Sequence, residues 1–209
     1  MNKALRGINA FYCRFLRAVA GFDWLGPLAL RIFLAPILLL AGMNKLGKID
    51  DVAAWFGNPD WGLGLPAPYL MAWLAGLTEL LGGAALLVGL GVRLVAMPLM
   101  FVMAVAAATA HWQYGWHALP EETLTMPWEW RRDLIEEAAV RRDKARELFQ
   151  AHGNYAWLTE AGSFTVLKNG IEFAATYFVM LLALLCTGGG RWVSLDYWLC
   201  RALGQRHGK

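Results

Sequence analysis

Cysteine is scarce in this chain: Cys13, Cys186 and Cys200 are the only three among 209 residues, they are scattered, and no C-x-x-C occurs. That pattern argues against a disulfide-exchanging oxidoreductase and leaves no thiolate set for an iron–sulfur cluster. Neither a haem-ligating pair nor a flavin motif is visible. Charge is also scarce, at 17% of residues, which is too little for an ordinary soluble domain of this length. The first 25 residues show no compact apolar core followed by a small-residue cleavage site, so the first apolar run reads as an uncleaved anchor. No inverted repeat is visible, which argues against an alternating-access transporter.

What the chain has in abundance is apolar surface. Apolar residues make up 58% of it and its mean hydropathy is +0.40. Four segments supply the roughly 20 residues needed to cross about 30 Å of hydrocarbon: 27–46, 69–90, 92–111 and 164–187. Each is continuously apolar instead of alternating, so helices are expected and barrel strands are not. The expected fold is an all-α membrane protein, with a bundle of four transmembrane helices over 27–187. Residues 1–25 form an amphipathic interfacial helix, 112–163 a helical outer loop, and 188–209 a C-terminal tail.

Basic residues near the span ends set the expected orientation. Lys3, Arg6, Arg14 and Arg17 precede the first span, Arg93 lies in the turn after the second, and Arg191, Arg201, Arg206 and Lys209 follow the fourth. These place both termini on the cytoplasmic side of the membrane. The opposite side carries Lys45, Lys48 and Lys168, and Arg131, Arg132, Arg141, Arg142, Lys144 and Arg146 lie far out in the long loop.

In the N-terminal segment Leu5, Ile8, Tyr12, Phe15, Leu16, Val19 and Phe22 recur at helical spacing between basic residues. This suits a helix on an anionic leaflet or one packed on the bundle, and WVSLDYWLCRAL at the other end reads similarly. In the long loop, TMPWEWRRDLIEEAAVRRDKARELFQAHG reads as one solvated helix, N-capped by Thr125, with opposite charges four apart and Gly153 beyond its end.

Polar residues inside the apolar runs carry the functional signal. Glu79 falls near the middle of the second span, while Asn169 and Glu172 fall in the outer half of the fourth. The first span ends outside at Asn44 and Lys45, and the third at His111. A charge at mid-membrane costs about 2.5–3.5 kcal/mol, against about 0.3–0.6 returned by each large apolar residue. Two carboxylates therefore call for pairing with Lys45 or His111, for protonation, for a bound ligand, or for a structural network that fixes helix register. Arg31, near the start of the first span, is expected to snorkel to phosphate, and Lys168 to reach the headgroups.

GMNKL closing the first span, the loop WFGNPDWGLGLPAP, GLTELLGGAALLVGLGVR, a His ending the third span and GGGRWVSLD after the fourth resemble the DoxX family of four-helix bacterial membrane proteins. The long loop with WLTEAGSF and NGIEFAATYFVMLL is similar to a subgroup accompanying metal-responsive, copper-linked secreted peptides. The resemblance implies quinone-linked sulfur oxidation, as in membrane subunits of thiosulfate:quinone oxidoreductase, or complexes that manage oxidative stress. It carries family polar positions onto Lys45, Glu79, Arg93, His111 and Asp196, and subgroup positions onto Asn169 and Glu172, without implying catalysis by this subunit alone.

Three readings follow. In the first, Lys45, Glu79, His111, Asn169 and Glu172 form a ligand site for a quinone, with electrons from a redox partner. In the second, His111, Glu79 and Glu172 hold a divalent metal such as Zn²⁺, or Met43 and Met71 serve copper(I). In the third, the bundle is a non-enzymatic partner of a periplasmic peptide or protein, bound through the outer loop and its tryptophans, Trp112, Trp116, Trp128, Trp130 and Trp157. The lipid bilayer is a partner in all three, nucleic acid in none, and self-association stays open.

Overall fold

A continuously apolar segment satisfies its backbone best by coiling, because each N–H then finds a carbonyl four residues back. The computed structural model, which describes residues 3–119, 121, 123–163, 165 and 168–204, is helical throughout, with no strand among the described residues. Helix α1 runs over Lys3–Ala20, α2 over Leu25–Gly47, α3 over Ile49–Gly57, α4 over Pro68–Val88 and α5 over Val92–Ala106. A π-helical turn, Ala107–His111, and a 3-10 turn, Trp112–Tyr114, extend α5. Then come α6 (Arg132–His152), α7 (Tyr155–Leu158), α8 (Glu172–Thr187) and α9 (Leu195–Gly204).

Three helices are long and apolar enough to cross a membrane: Leu25–Gly47, Pro68–Val88 and Val92–Tyr114. They correspond to the first three expected spans. The fourth differs. Helix α8 starts only at Glu172 and has 16 residues, about 24 Å of rise. Asn169 has a left-handed φ of 63°, and the chain from Asn169 to Glu172 donates its N–H groups to the 115–118 backbone. The helix therefore cannot extend back towards 164. Phe164, Val166 and Leu167 of that expected span, and Arg206 and Lys209 of the tail, lie outside the described residues.

The described chain divides into two compact units, Met1–Val102 with Val179–Lys209, and Met103–Phe178. In the first, Leu34, Ala35 and Leu38 of α2, Leu86 of α4, Val92, Ala96 and Leu99 of α5, and Leu181 and Leu184 of α8 are fully enclosed. Large apolar side chains also point outward: Leu81 is 63% exposed, Leu94 69% and Phe101 70%. Such an apolar exterior suits lipid, which welcomes what water would reject. Helix α1 likewise exposes Ile8, Phe11, Tyr12, Phe15 and Leu16.

Glycine lets α2 and α4 touch backbone to backbone. A Cβ at Gly42 would stand 2.5 Å from the Leu80 nitrogen and 2.8 Å from the Gly76 oxygen. Backbone cannot swing aside as a side chain can, so Gly42→Val must push the helices apart. The variant is expected to lose about 1–3 kcal/mol of stability, read as an earlier unfolding transition in detergent. Unchanged unfolding would show that the contact is slack.

In the second unit the loop helix is shorter than its sequence pattern predicts. It begins at Arg132, not at Thr125, whose hydroxyl donates to Glu121 instead of capping a helix. Residues 127 and 128 form a turn that delivers Glu129 into the interior. From Arg132 onward α6 is charge-laced, with Glu137 paired to Arg141 and Lys144 to Glu147.

Candidate functional site

Two polar centres emerge, one in each unit. In the first, Lys45 in the last turn of α2 meets Glu79 midway along α4, its Nζ donating to Glu79 Oε2 at 2.5 Å. Glu79 is 3% exposed, whereas the Lys45 side chain keeps 28% of its surface open. Gly76 makes the room: a Cβ there would lie 2.8 Å from Leu46 Cδ2 and 3.5 Å from Lys45 Cβ. An ammonium has three protons, and Glu79 takes one of those of Lys45.

The second unit holds the remaining sequence-predicted residues. His111 Nδ1 lies 2.8 Å from the Asn169 carbonyl oxygen. A carbonyl can only accept, so Nδ1 carries the proton and donates. Glu172 opens α8, and its Oε2 accepts the Ala118 N–H at 3.0 Å. That carboxylate at the positive end of a helix ties the 115–118 loop to it. His111, Asn169 and Glu172 are thus joined to the 115–118 and 168–172 backbone of one unit, and Lys45 and Glu79 to each other in the other.

Lys168 does not reach for headgroups. It is 8% exposed and its Nζ donates to Glu129 Oε2 at 2.8 Å. Glu129, 2% exposed, also accepts the N–H groups of Arg131 at 2.8 Å, Trp116 at 3.1 Å and His117 at 3.4 Å. Burial pushes this carboxyl up, but the Lys168 ammonium and the Arg131 and Trp116 N–H groups outweigh it and hold it down at about 2. His117 lies beside it, with Nδ1 3.1 Å from Glu121 Oε1 and Nε2 4.0 Å from Glu129 Oε2. That Nε2 is buried without a hydrogen-bond partner among the described residues.

Arg31 does not snorkel either. It is 1% exposed, and its guanidinium donates to the carbonyls of Leu86 at 2.6 Å, Leu87 at 3.0 Å, Gly189 at 2.6 Å and Val193 at 3.2 Å. Leu86 and Leu87 stand among the last carbonyls of α4, where intrahelical donors run out; the capping Gly89 N–H reaches Leu86 at 3.2 Å, and Arg31 supplies further donors to both. Opposite them, Asp196 accepts the N–H groups of Gly91 at 2.6 Å and Val92 at 2.9 Å, at the start of α5. The two charged side chains close the helix ends on either side of the 89–91 turn. Gly89, with φ of 73°, keeps that turn open to Arg31, since a Cβ would lie 2.6 Å from its Nη2.

The DoxX family model matches residues 26–112. That stretch is a DoxX domain. It spans α2 to the π-helical turn, and so contains Lys45, Glu79, Arg31, Arg93 and His111, while Asn169, Glu172 and Asp196 lie beyond it. No curated protein and no solved structure matches the chain. Three helices of the chain are long and apolar enough to cross a membrane, and the matched stretch takes in nearly all of each. No group of three His, Cys, Asp or Glu side chains is arranged to hold a metal ion among the described residues.

Sequence reasoning missed the Glu129–Lys168–His117 centre because Glu129 sits in a segment whose charges otherwise face outward. A signal was available in WEW: Trp128 and Trp130 flank Glu129 in a stretch otherwise rich in charge.

Proposed function

We propose that this DoxX-domain protein is a quinone-linked component of a bacterial inner membrane, with both termini cytoplasmic, and that the Lys45–Glu79 pair is the centre of its ligand site. The observation that carries this reading is a carboxylate enclosed within a spanning helix beside a partly open ammonium. A buried pair adds little to stability once its desolvation cost is counted, so retention of a charge pair at this depth favours a ligand role.

The donor set fits a quinone. Lys45 donates a hydrogen bond to a carbonyl oxygen while its aliphatic stem lies along apolar surface. Glu79 accepts a hydrogen bond from Lys45 and is placed to take up a proton as that partner is drawn away. A bound quinone would supply the redox chemistry, taking up two electrons and two protons on conversion to the quinol, with the electrons delivered by a partner protein. His111, Asn169 and Glu172, in the other unit, form a separate group of donors and acceptors.

Glu79→Gln keeps the shape of the side chain and removes its charge. Purified in detergent with ubiquinone added, this variant is expected to bind quinone about tenfold more weakly than the native protein, a loss of roughly 1.4 kcal/mol, with unchanged unfolding. Equal quinone binding by the two proteins, or none by the native one, would overturn the reading.

A further inference from the structure

A cleft of about 980 Å³ opens in the first unit, around the turn between α4 and α5, the start of α2 and the end of α8. Its walls carry Arg93, Arg191 and Arg201 and the glycine loop Gly188–Gly190. Two acids also line it, but both are engaged. Asp196 accepts the N–H groups of Gly91 and Val92, and Asp23 pairs with Arg191 at 3.3 Å.

Arg93 and Arg201 have no carboxylate partner among the described residues. Arg93 donates Nη2 to the Cys186 carbonyl at 3.1 Å, and Arg201 donates Nη1 to the Tyr197 hydroxyl at 3.3 Å. A guanidinium has five N–H donors, so each arginine keeps most of its fork unused beside an open volume. The loop between them admits close approach, because Gly188 and Gly190 take φ of 79° and 87° and present no side chain. Pro27 and Leu94 add an apolar edge.

We propose that this cleft binds a phosphate ester anion through Arg93 and Arg201. Planar guanidinium groups match the paired oxygens of phosphate, and charge-assisted bonds of this kind are among the strongest available to a side chain. The volume holds a glycerophosphate group with space to spare. The cleft lies where spanning helices end, which is the level of lipid headgroups, so the ester is carried by an anionic phospholipid or by a soluble metabolite. This site does not depend on the Lys45–Glu79 reading: Lys45 closes the far end of α2, whereas Pro27 stands in its first turn.

The test uses the full chain in neutral detergent with two probes, phosphatidylglycerol followed by native mass spectrometry and glycerol 3-phosphate followed by calorimetry. Arg93→Gln with Arg201→Gln is expected to weaken binding of at least one probe by roughly tenfold or more. Arg141→Gln with Lys144→Gln removes the same charge from α6, where both are exposed and ion-paired, and is expected to leave that binding unchanged. An effect on the lipid alone assigns the ester to the membrane, and an effect on glycerol 3-phosphate alone assigns it to a soluble ligand. Should the double variant unfold early, Arg201→Gln by itself carries the test, since its one hydrogen bond goes to a hydroxyl on its own helix. Equal losses in the α6 control, or binding of both probes indifferent to Arg93 and Arg201, would overturn the proposal.

Discussion

Replacing Arg31 by methionine is expected to lower the stability of the protein by about 3–5 kcal/mol, the largest effect of any single substitution considered for the first unit. Four carbonyls on three separate stretches of chain now share one guanidinium. Each buried acceptor left unsatisfied costs about 1–3 kcal/mol, and of the two α4 carbonyls Leu86 keeps another donor, the Gly89 N–H. Methionine fills much of the volume, so the loss isolates the hydrogen bonds from the packing. Arg31→Lys is expected to recover only part of it, since a point-like ammonium cannot span the same four acceptors. Unfolding followed by circular dichroism in detergent reads the difference. A methionine variant that unfolds with the native protein would mean that the α4 terminus is satisfied without Arg31.

Lys168→Met is expected to cost a similar amount, about 3–5 kcal/mol, in the second unit, because it strands a buried carboxylate. Glu129 would keep its backbone donors but lose its only counter-charge within salt-bridge distance apart from His117 at 4.0 Å. Removing both charges, as in Glu129→Met with Lys168→Met, is expected to restore much of the loss. The same centre sets an acid limit. Glu129 is held at about 2 against an ordinary 4.5, so the folded state binds its proton less readily than the unfolded chain. Its contribution is fully present above pH 4.5 and disappears as the pH falls through about 2. Hydrogen exchange at residues 115–118 and 168–172 should therefore accelerate over that interval. Glu129→Gln should flatten the response, and an equally steep response in that variant would place the acid sensitivity elsewhere.

Spans one to three could be read from sequence nearly to their ends, because continuous apolar runs leave the backbone few alternatives to a helix. The fourth could not, since hydropathy registers LKNGIEFAATYFVMLLALL as one run and is blind to backbone pairing. Asn169 in a left-handed conformation and the bonds from 169–172 to 115–118 stop the helix at Glu172. Lys45–Glu79 was legible as a pairing because both residues break apolar runs at reachable depths. Arg31 and Lys168 were misread for a common reason: long basic side chains near span ends usually bend outward to water. Here the unsatisfied carbonyls of α4 and the buried carboxylate of Glu129 draw them inward, and both attractors come from parts of the chain remote in sequence.

The arrangement around the 89–91 turn also dictates an order of assembly. Asp196, which satisfies the first N–H groups of α5, lies 105 residues beyond Gly91, and Gly189 and Val193, which share Arg31 with α4, are almost as late. At about 5–20 residues per second of synthesis, the turn waits roughly 5–20 s for the segment that completes it. During that interval the early helices sit in the bilayer with one end unfinished. The 189–196 stretch is therefore a clasp: a nascent protein halted before residue 189 would hold its early helices without their lock.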